Sequence, residues 1–147
     1  MAALFGPSAR MTLHSRYPAL SDLRARARRR LPRFVWDYLD SGTGTEATTR
    51  RNRDRLDDVL LMPSILHGEV ACSTKTSLLS ATCDLPVGIA PVGMSGLVWP
   101  DAERILARAA ARAGIPYTLS TVASQTPEDV QDALGTHAWF QMYPPRD

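Results

Sequence analysis

The residues from 85 to 143 alternate between short apolar runs and amphipathic stretches, and this alternation leaves few possible folds. The apolar runs predict strands buried on both faces at 85–91, 115–120 and 137–143. Helices are predicted over 101–113 and from an N-cap at Thr126 to a stop at Gly135. This order is typical of a parallel α/β unit, either a (β/α)8 barrel or a doubly wound sheet. No G-x-G-x-x-G follows the first strand, which weakens the dinucleotide-binding version.

The predicted helix 101–113 has two distinct sides, and Gly114 is expected to terminate it. Arginines recur every four residues on the side assigned to solvent. The side assigned to the core carries Ile105, Leu106, Ala109, Ala110 and Ala113.

A different pattern precedes residue 85. Helices are predicted at 21–31, with Ser21 as N-cap, at 33–41 before Gly42, and within the polar stretch 43–54. Short stretches at 65–70 and 77–81 predict small strands of a hairpin-like cover. Residues 1–16 show no periodicity and are expected to be disordered. We therefore divide the chain into a disordered 1–16, helices and cover strands over 17–84, and three βα units over 85–147.

Composition excludes several classes of protein. The formal net charge of +2 is too small to imply a polyanionic partner, and six arginines within 24–33 are interpreted as a solvated helix face. Cys72 and Cys83 do not make a disulfide framework, so we expect reduced thiols. There is neither a run of roughly 18 apolar residues nor an apolar N-terminal signal segment. We expect a cytoplasmic protein without a nucleic-acid partner, and leave peripheral membrane association open.

Candidate site residues follow the predicted strands, because active sites of parallel α/β folds lie at the carboxyl ends of strands. Residues 90–95 offer backbone groups and close approach rather than an acid or base. The second strand ends in the hydroxyls of Ser120 and Thr121. The third offers the Gln141 amide, with Tyr143 two residues later on the same face. Such a polar rim suits a flat heteroaromatic ligand, and no spacing typical of a metal site occurs.

Four separated motifs resemble the FMN-dependent 2-hydroxy-acid dehydrogenase and oxidase family, which includes glycolate oxidase, flavin-type lactate dehydrogenase and mandelate dehydrogenase. They are LPRFVWDYLDSG at 31–42, APVGM at 90–94, LST at 119–121 and FQMY at 140–143. The resemblance runs from about Tyr17 to Asp147. It implies an incomplete (β/α)8 TIM barrel, of which this chain holds the first three strands, preceded by N-terminal helices and a small β-hairpin cover.

The resemblance also implies a role for particular residues. Tyr38 and Tyr143 would hydrogen-bond the substrate, at its carboxylate for Tyr38 and at its carboxylate or hydroxyl for Tyr143. Ser120 and Gln141 would bond the polar edge of the FMN ring. The segment along the flavin near its N5 atom would be Pro91, Val92 and Gly93.

Two positions depart from the family's usual residues. Val92 stands where many members have threonine, which removes a polar contact. Gly93 stands where oxidases usually have alanine, and this favours a dehydrogenase that passes electrons to an acceptor other than oxygen.

The implied reaction is oxidation of an L-2-hydroxy acid to the 2-oxo acid, with hydride transfer to flavin N5. The resemblance places the catalytic base beyond Asp147, so no residue here is assigned as catalytic, and we expect a truncated chain. The electron acceptor is left open among a quinone, a cytochrome and oxygen, and a full-length form is a candidate homo-oligomer. The alternative hypothesis is a non-catalytic partial-barrel remnant or interaction protein.

Overall fold

The computed structural model describes residues 13–63, 65, 68, 71–79 and 81–145. They form two compact units, the first ending at Val59 and the second beginning at Leu60. The predicted division after residue 84 groups the hairpin with the N-terminal helices, whereas in the structure the hairpin belongs to the second unit. The assignment of the three predicted segments to separate domains stays a prediction.

The first unit is helical. Its helices are α1 (Leu13–Arg16), α2 (Leu20–Arg30), α3 (Arg33–Asp40) and α4 (Ala47–Asp57). The break between α2 and α3 falls at Leu31, which is extended with ψ 145° because it precedes Pro32. The helices predicted at 21–31, 33–41 and 43–54 are thus confirmed with shifted ends. Residues 13–16 form a helical turn where we expected disorder, and residues 1–12 lie outside the described part.

The start of α2 differs from the prediction that Ser21 would cap it. Ala19 is the N-cap, and Ser21 lies inside the first turn. The Asp22 carboxylate accepts a hydrogen bond from the Ala19 N–H at 3.1 Å. An acid three residues into the helix therefore satisfies the free N–H of the cap residue, and a hydroxyl at Ser21 is not needed for it.

A bidentate ion pair joins α2 to α3. Arg24 Nε and Nη2 donate to the two carboxylate oxygens of Asp40 at 2.6 and 2.8 Å. The hydrogen bond from Arg24 holds the pKa of Asp40 below its ordinary value, against the opposing effect of burial. The bidentate geometry makes this a specific link between the two helices, although Arg24 is largely exposed.

The second unit begins with an antiparallel hairpin of β1 (Thr76–Leu78) and β2 (Ala81–Cys83), with Thr76 opposite Cys83. A hairpin is present here, but the prediction of a single strand at 77–81 is wrong, because Ser77 and Leu78 belong to β1 and Ala81 begins β2. The strand predicted at 65–70 lies mostly outside the described residues. Cys83 is completely buried, Cys72 is exposed, and neither forms a disulfide.

Parallel strands and helices follow in the predicted order. The elements are α5 (Ser95–Val98), α6 (Ala102–Ala113), β3 (Tyr117–Leu119), α7 (Pro127–Val130) with a 3-10 turn at Gln131–Ala133, and β4 (Ala138–Phe140). β3 pairs in parallel with β4, and Ile89 forms a single parallel bridge to Tyr117. The first predicted strand is thus reduced to one bridge, in a run whose prolines, Pro86 and Pro91, cannot donate to a ladder.

The core of the second unit lies between α6, β3 and the α7 region. Its buried members are Ala107, Ala110, Tyr117, Leu119, Val130 and Ala133. The predicted core side of α6 needs correction, because Ile105 is 48% exposed whereas Glu103 is completely buried. The buried face follows Glu103, Ala107 and Ala110, since the small alanines allow close approach to β3. Gly114 ends α6 with φ +61°, as predicted.

None of the described helices combines the length and the apolar character needed to cross a bilayer.

Candidate functional site

The carboxyl ends of β3 and β4 place two polar side chains side by side. The Ser120 hydroxyl donates to Gln141 Oε1 at 3.2 Å and accepts from the Val122 N–H at 3.2 Å. Ser120 is only 4% exposed. The Gln141 N–H donates to the Leu119 carbonyl at 2.9 Å, which continues the parallel register one residue past β4. This register brings Ser120 and Gln141 together.

A second hydroxyl in the same loop holds the chain beyond β4. The Thr121 hydroxyl donates to the Gln141 carbonyl and accepts from the Tyr143 N–H at 3.0 Å. The Thr121 hydroxyl was noted at the end of the second predicted strand, but no role was assigned to it. It fixes the backbone on both sides of Met142 and therefore the course of the chain at Tyr143.

The segment before α5 lies beside the end of β3. On one side, the Ile89 N–H donates to the Pro116 carbonyl at 2.8 Å, and the Ile89 carbonyl accepts from the Thr118 N–H at 3.0 Å. On the other side the Met94 N–H donates to the Val122 carbonyl at 2.8 Å. The intervening residues Pro91, Val92 and Gly93 are therefore held near the loop that carries Ser120.

Six of the seven predicted site residues belong to the second unit, and the contacts above link their segments. They are Pro91, Val92, Gly93, Ser120, Gln141 and Tyr143. Tyr143 is 54% exposed and Val92 is 40% exposed. Tyr38 lies on α3 in the first unit and is 52% exposed. The binding roles of all seven stay predictions.

Glu103 is a charged residue of this region to which the sequence analysis assigned no role. Its Oε1 accepts hydrogen bonds from the Gly96 N–H at 3.2 Å and the Ser124 N–H at 2.9 Å. Burial alone raises the pKa of Glu103, but hydrogen bonds from Ser124, its own backbone, the Ser95 side chain and Gly96 outweigh it and lower the pKa below the ordinary value. The only signal in the sequence was an acid four residues before Ala107 on an alanine-rich face.

Glu103 also affects the neighbouring phenol of β3. Burial, followed by the negative charge of Glu103, raises the pKa of Tyr117 to about 12. Tyr117 is therefore a neutral core residue beside a carboxylate, with no acid–base role at neutral pH.

Comparison with known proteins identifies the family. The model of the FMN-dependent dehydrogenase family matches residues 27–147. The L-lactate dehydrogenases of Xanthobacter autotrophicus and Caulobacter vibrioides are 43% and 42% identical over 127 residues, which are 86% of this chain and 33% of each relative. The chain belongs to the FMN-dependent dehydrogenase family, and it spans about a third of the length of these curated relatives.

Solved structures agree with this assignment. A mandelate oxidase structure matches with a TM-score of 0.80 and 37% identity, over 89% of this chain and 38% of that chain. A soluble mutant of the membrane-associated (S)-mandelate dehydrogenase from Pseudomonas putida matches with a TM-score of 0.77 and 35% identity, over 84% of this chain and 36% of that chain. The resemblance stated from the motifs is thereby confirmed, and with it an FMN-dependent oxidoreductase ancestry.

Proposed function

We propose that the carboxyl edge of the parallel strands is part of an FMN site in an enzyme that oxidises an L-2-hydroxy acid. The observation that carries the proposal is the Ser120–Gln141 pair. Because Gln141 Oε1 accepts from Ser120, its amide Nε2 is the remaining donor. A donor of this kind fits an acceptor atom on the polar edge of a flavin ring.

The apolar part of the edge also fits a flat ring. Val92 and Met94 are 40% and 42% exposed beside the loop that carries Ser120. In the proposal, Pro91, Val92 and Gly93 lie along the ring with backbone contacts, and Ser120 orients the Gln141 amide toward the ring. The strand ends therefore supply an apolar surface and a directed donor together, a combination typical of cofactor pockets.

The strand arrangement supports a finer proposal for the fold. We propose that the Ile89 segment, β3 and β4 are the first three strands of a (β/α)8 barrel, each followed by its loop at the same edge. All three residues of β4 are exposed, and Trp139 and Phe140 are 37% and 52% exposed. β4 pairs with β3 along one edge and exposes large apolar side chains. This supports the proposal that a further strand lies beside β4 in the whole protein.

When bound, FMN would supply the acceptor for the substrate Cα hydrogen and its electron pair, and the hydroxyl proton would pass to a base. In the proposal this chain's residues bind and orient the substrate: the phenols of Tyr38 and Tyr143 donate to its carboxylate or hydroxyl. The strand-end residues named here carry hydroxyls, an amide and a phenol, and they include no carboxylate or imidazole. We propose that the base belongs to the part of the family's length that this chain does not cover.

The similar proteins include both dehydrogenases and an oxidase, so they do not decide the electron acceptor. Our proposal for the electron acceptor therefore rests on the glycine at position 93. We propose a dehydrogenase that uses a quinone or cytochrome, located in the cytoplasm with peripheral association to a membrane. The Gly93→Ala variant of the whole protein is expected to reoxidise faster with oxygen, by stopped-flow spectroscopy of the reduced flavin. An unchanged oxygen rate would remove the reason for choosing a dehydrogenase.

The direct test is flavin binding by the purified protein, followed by turnover on a series of L-2-hydroxy acids with an artificial acceptor. We expect bound FMN, and weaker binding in Gln141→Met, which keeps the side-chain volume but has no amide donor. Ser124→Ala, an exposed hydroxyl in the neighbouring loop, is the matched control and should bind normally. A protein that binds no flavin and oxidises no hydroxy acid would support the remnant hypothesis instead.

A further inference from the structure

The two loops that carry the proposed flavin contacts are joined through one buried side chain. Gly96 lies in α5, which follows the segment of Pro91, Val92 and Gly93. Ser124 lies in the loop that follows Ser120. Both backbone N–H groups donate to the same oxygen, Glu103 Oε1, at 3.2 and 2.9 Å. A single carboxylate on α6 therefore links two segments that belong to different βα units.

Because Glu103 is buried, its carboxylate depends on these hydrogen bonds for stabilisation of its charge. The residue is 0% exposed, and an ionised carboxylate is costly to bury unless donors compensate it. The donors are mainly backbone groups of the two loops. Moving either loop would take one donor away from the buried charge, so the carboxylate favours the arrangement in which both loops keep their hydrogen bonds.

Close packing around Glu103 leaves the loops little room to shift. A Cβ built on Gly96 would lie 2.7 Å from Ser124 Cβ and 3.2 Å from Glu103 Oε2. The absence of a side chain at this position is what allows the two loops to approach. The Met94 to Val122 backbone hydrogen bond of 2.8 Å is a second link between the same loops. Glu103 is the link that a side-chain substitution can test.

We propose that Glu103 is a positioning residue for the flavin site: it holds the segment at Pro91–Gly93 and the loop after Ser120 at the separation that the ring requires. The inference rests on the proposed FMN site. It assigns Glu103 no contact with cofactor or substrate. Its function is to preorganise the groups that make those contacts, so its loss should weaken cofactor binding beyond any loss of stability.

The experiment compares Glu103→Ala with Val130→Ala in the full-length protein. Val130 is completely buried in the same unit, and its backbone carbonyl accepts a hydrogen bond from the Leu134 N–H, so it controls for general destabilisation. FMN affinity is measured by quenching of flavin fluorescence, and the ring environment by visible circular dichroism, at a temperature where both variants are folded. We expect Glu103→Ala to lose about tenfold in FMN affinity and to alter the flavin dichroism, while Val130→Ala changes affinity by less than about twofold.

Glu103→Gln keeps an oxygen acceptor without the charge, and it decides the question if Glu103→Ala does not fold. Charge-assisted hydrogen bonds become neutral ones of about half the strength, so we expect an affinity loss of about threefold. Unchanged affinity and dichroism in the folded Glu103 variants would overturn the positioning role and leave the proposed FMN site intact. A wild-type protein that binds no FMN would overturn the proposed site and the positioning role together.

Discussion

Replacing Ser120 by alanine removes two hydrogen bonds from a nearly buried position. The hydroxyl donates to Gln141 Oε1 and accepts from the Val122 N–H, each at 3.2 Å. These distances are at the long end of the usual range of about 2.7–3.2 Å, so each bond should contribute about 0.5–1 kcal/mol. Water replaces them poorly, because Ser120 is 4% exposed. We expect Ser120→Ala to lower the free energy of unfolding by about 1–2 kcal/mol.

The assay is urea unfolding followed by tryptophan fluorescence, because Trp139 lies in β4, two residues before Gln141. Ser124→Ala changes an exposed serine in the same loop and should stay within about 0.5 kcal/mol of the wild type. A double-mutant cycle with Gln141→Met isolates the bond between the two side chains and should give a coupling of about 0.5–1 kcal/mol. A coupling near zero, or equal effects of the two serine substitutions, would refute the reasoning.

Two further predictions concern the core of the same unit. Val130→Ala removes two methyl groups from a completely buried site and should lower the free energy of unfolding by about 2 kcal/mol, measured by calorimetry. Val87→Ala, at a site 54% exposed, should change it by less than about 0.5 kcal/mol. Similar losses in the two variants would contradict the burial of Val130. The Tyr117 phenol has its pKa raised from 10.0 to about 12, so the folded state holds this proton more tightly and stability should fall as pH rises from 10.0 to about 12. A spectrophotometric titration should show a phenol that ionises near pH 12, and Tyr117→Phe should remove that signal. A titration curve that Tyr117→Phe leaves unchanged near pH 12 would contradict this.

Local patterns in the sequence predicted most of the elements correctly because their causes are local. Thr126 caps α7 by accepting the Asp129 N–H, as a threonine before proline and two acids indicates. Gly114 ends α6 because a left-handed residue there is tolerated best by glycine. The apolar runs with helices between them were enough to predict the parallel order of the strands. The four motifs were enough to predict the family.

Other features depend on what each element packs against. The sequence could not show that α6 buries Glu103 and leaves Ile105 half-exposed, because the rotation of a helix depends on the donors and small side chains that face it. The pairing of Ser120 with Gln141, and the role of Thr121, depend on the register of β3 and β4, which joins residues about twenty positions apart.

The sequence by itself therefore determined the order and type of the elements and the family, since propensity, capping and motif spacing act over a few residues. Only the tertiary structure decided which polar groups meet. A buried carboxylate or hydroxyl is tolerated where the folded chain supplies its hydrogen-bond partners, and those partners come from distant parts of the chain.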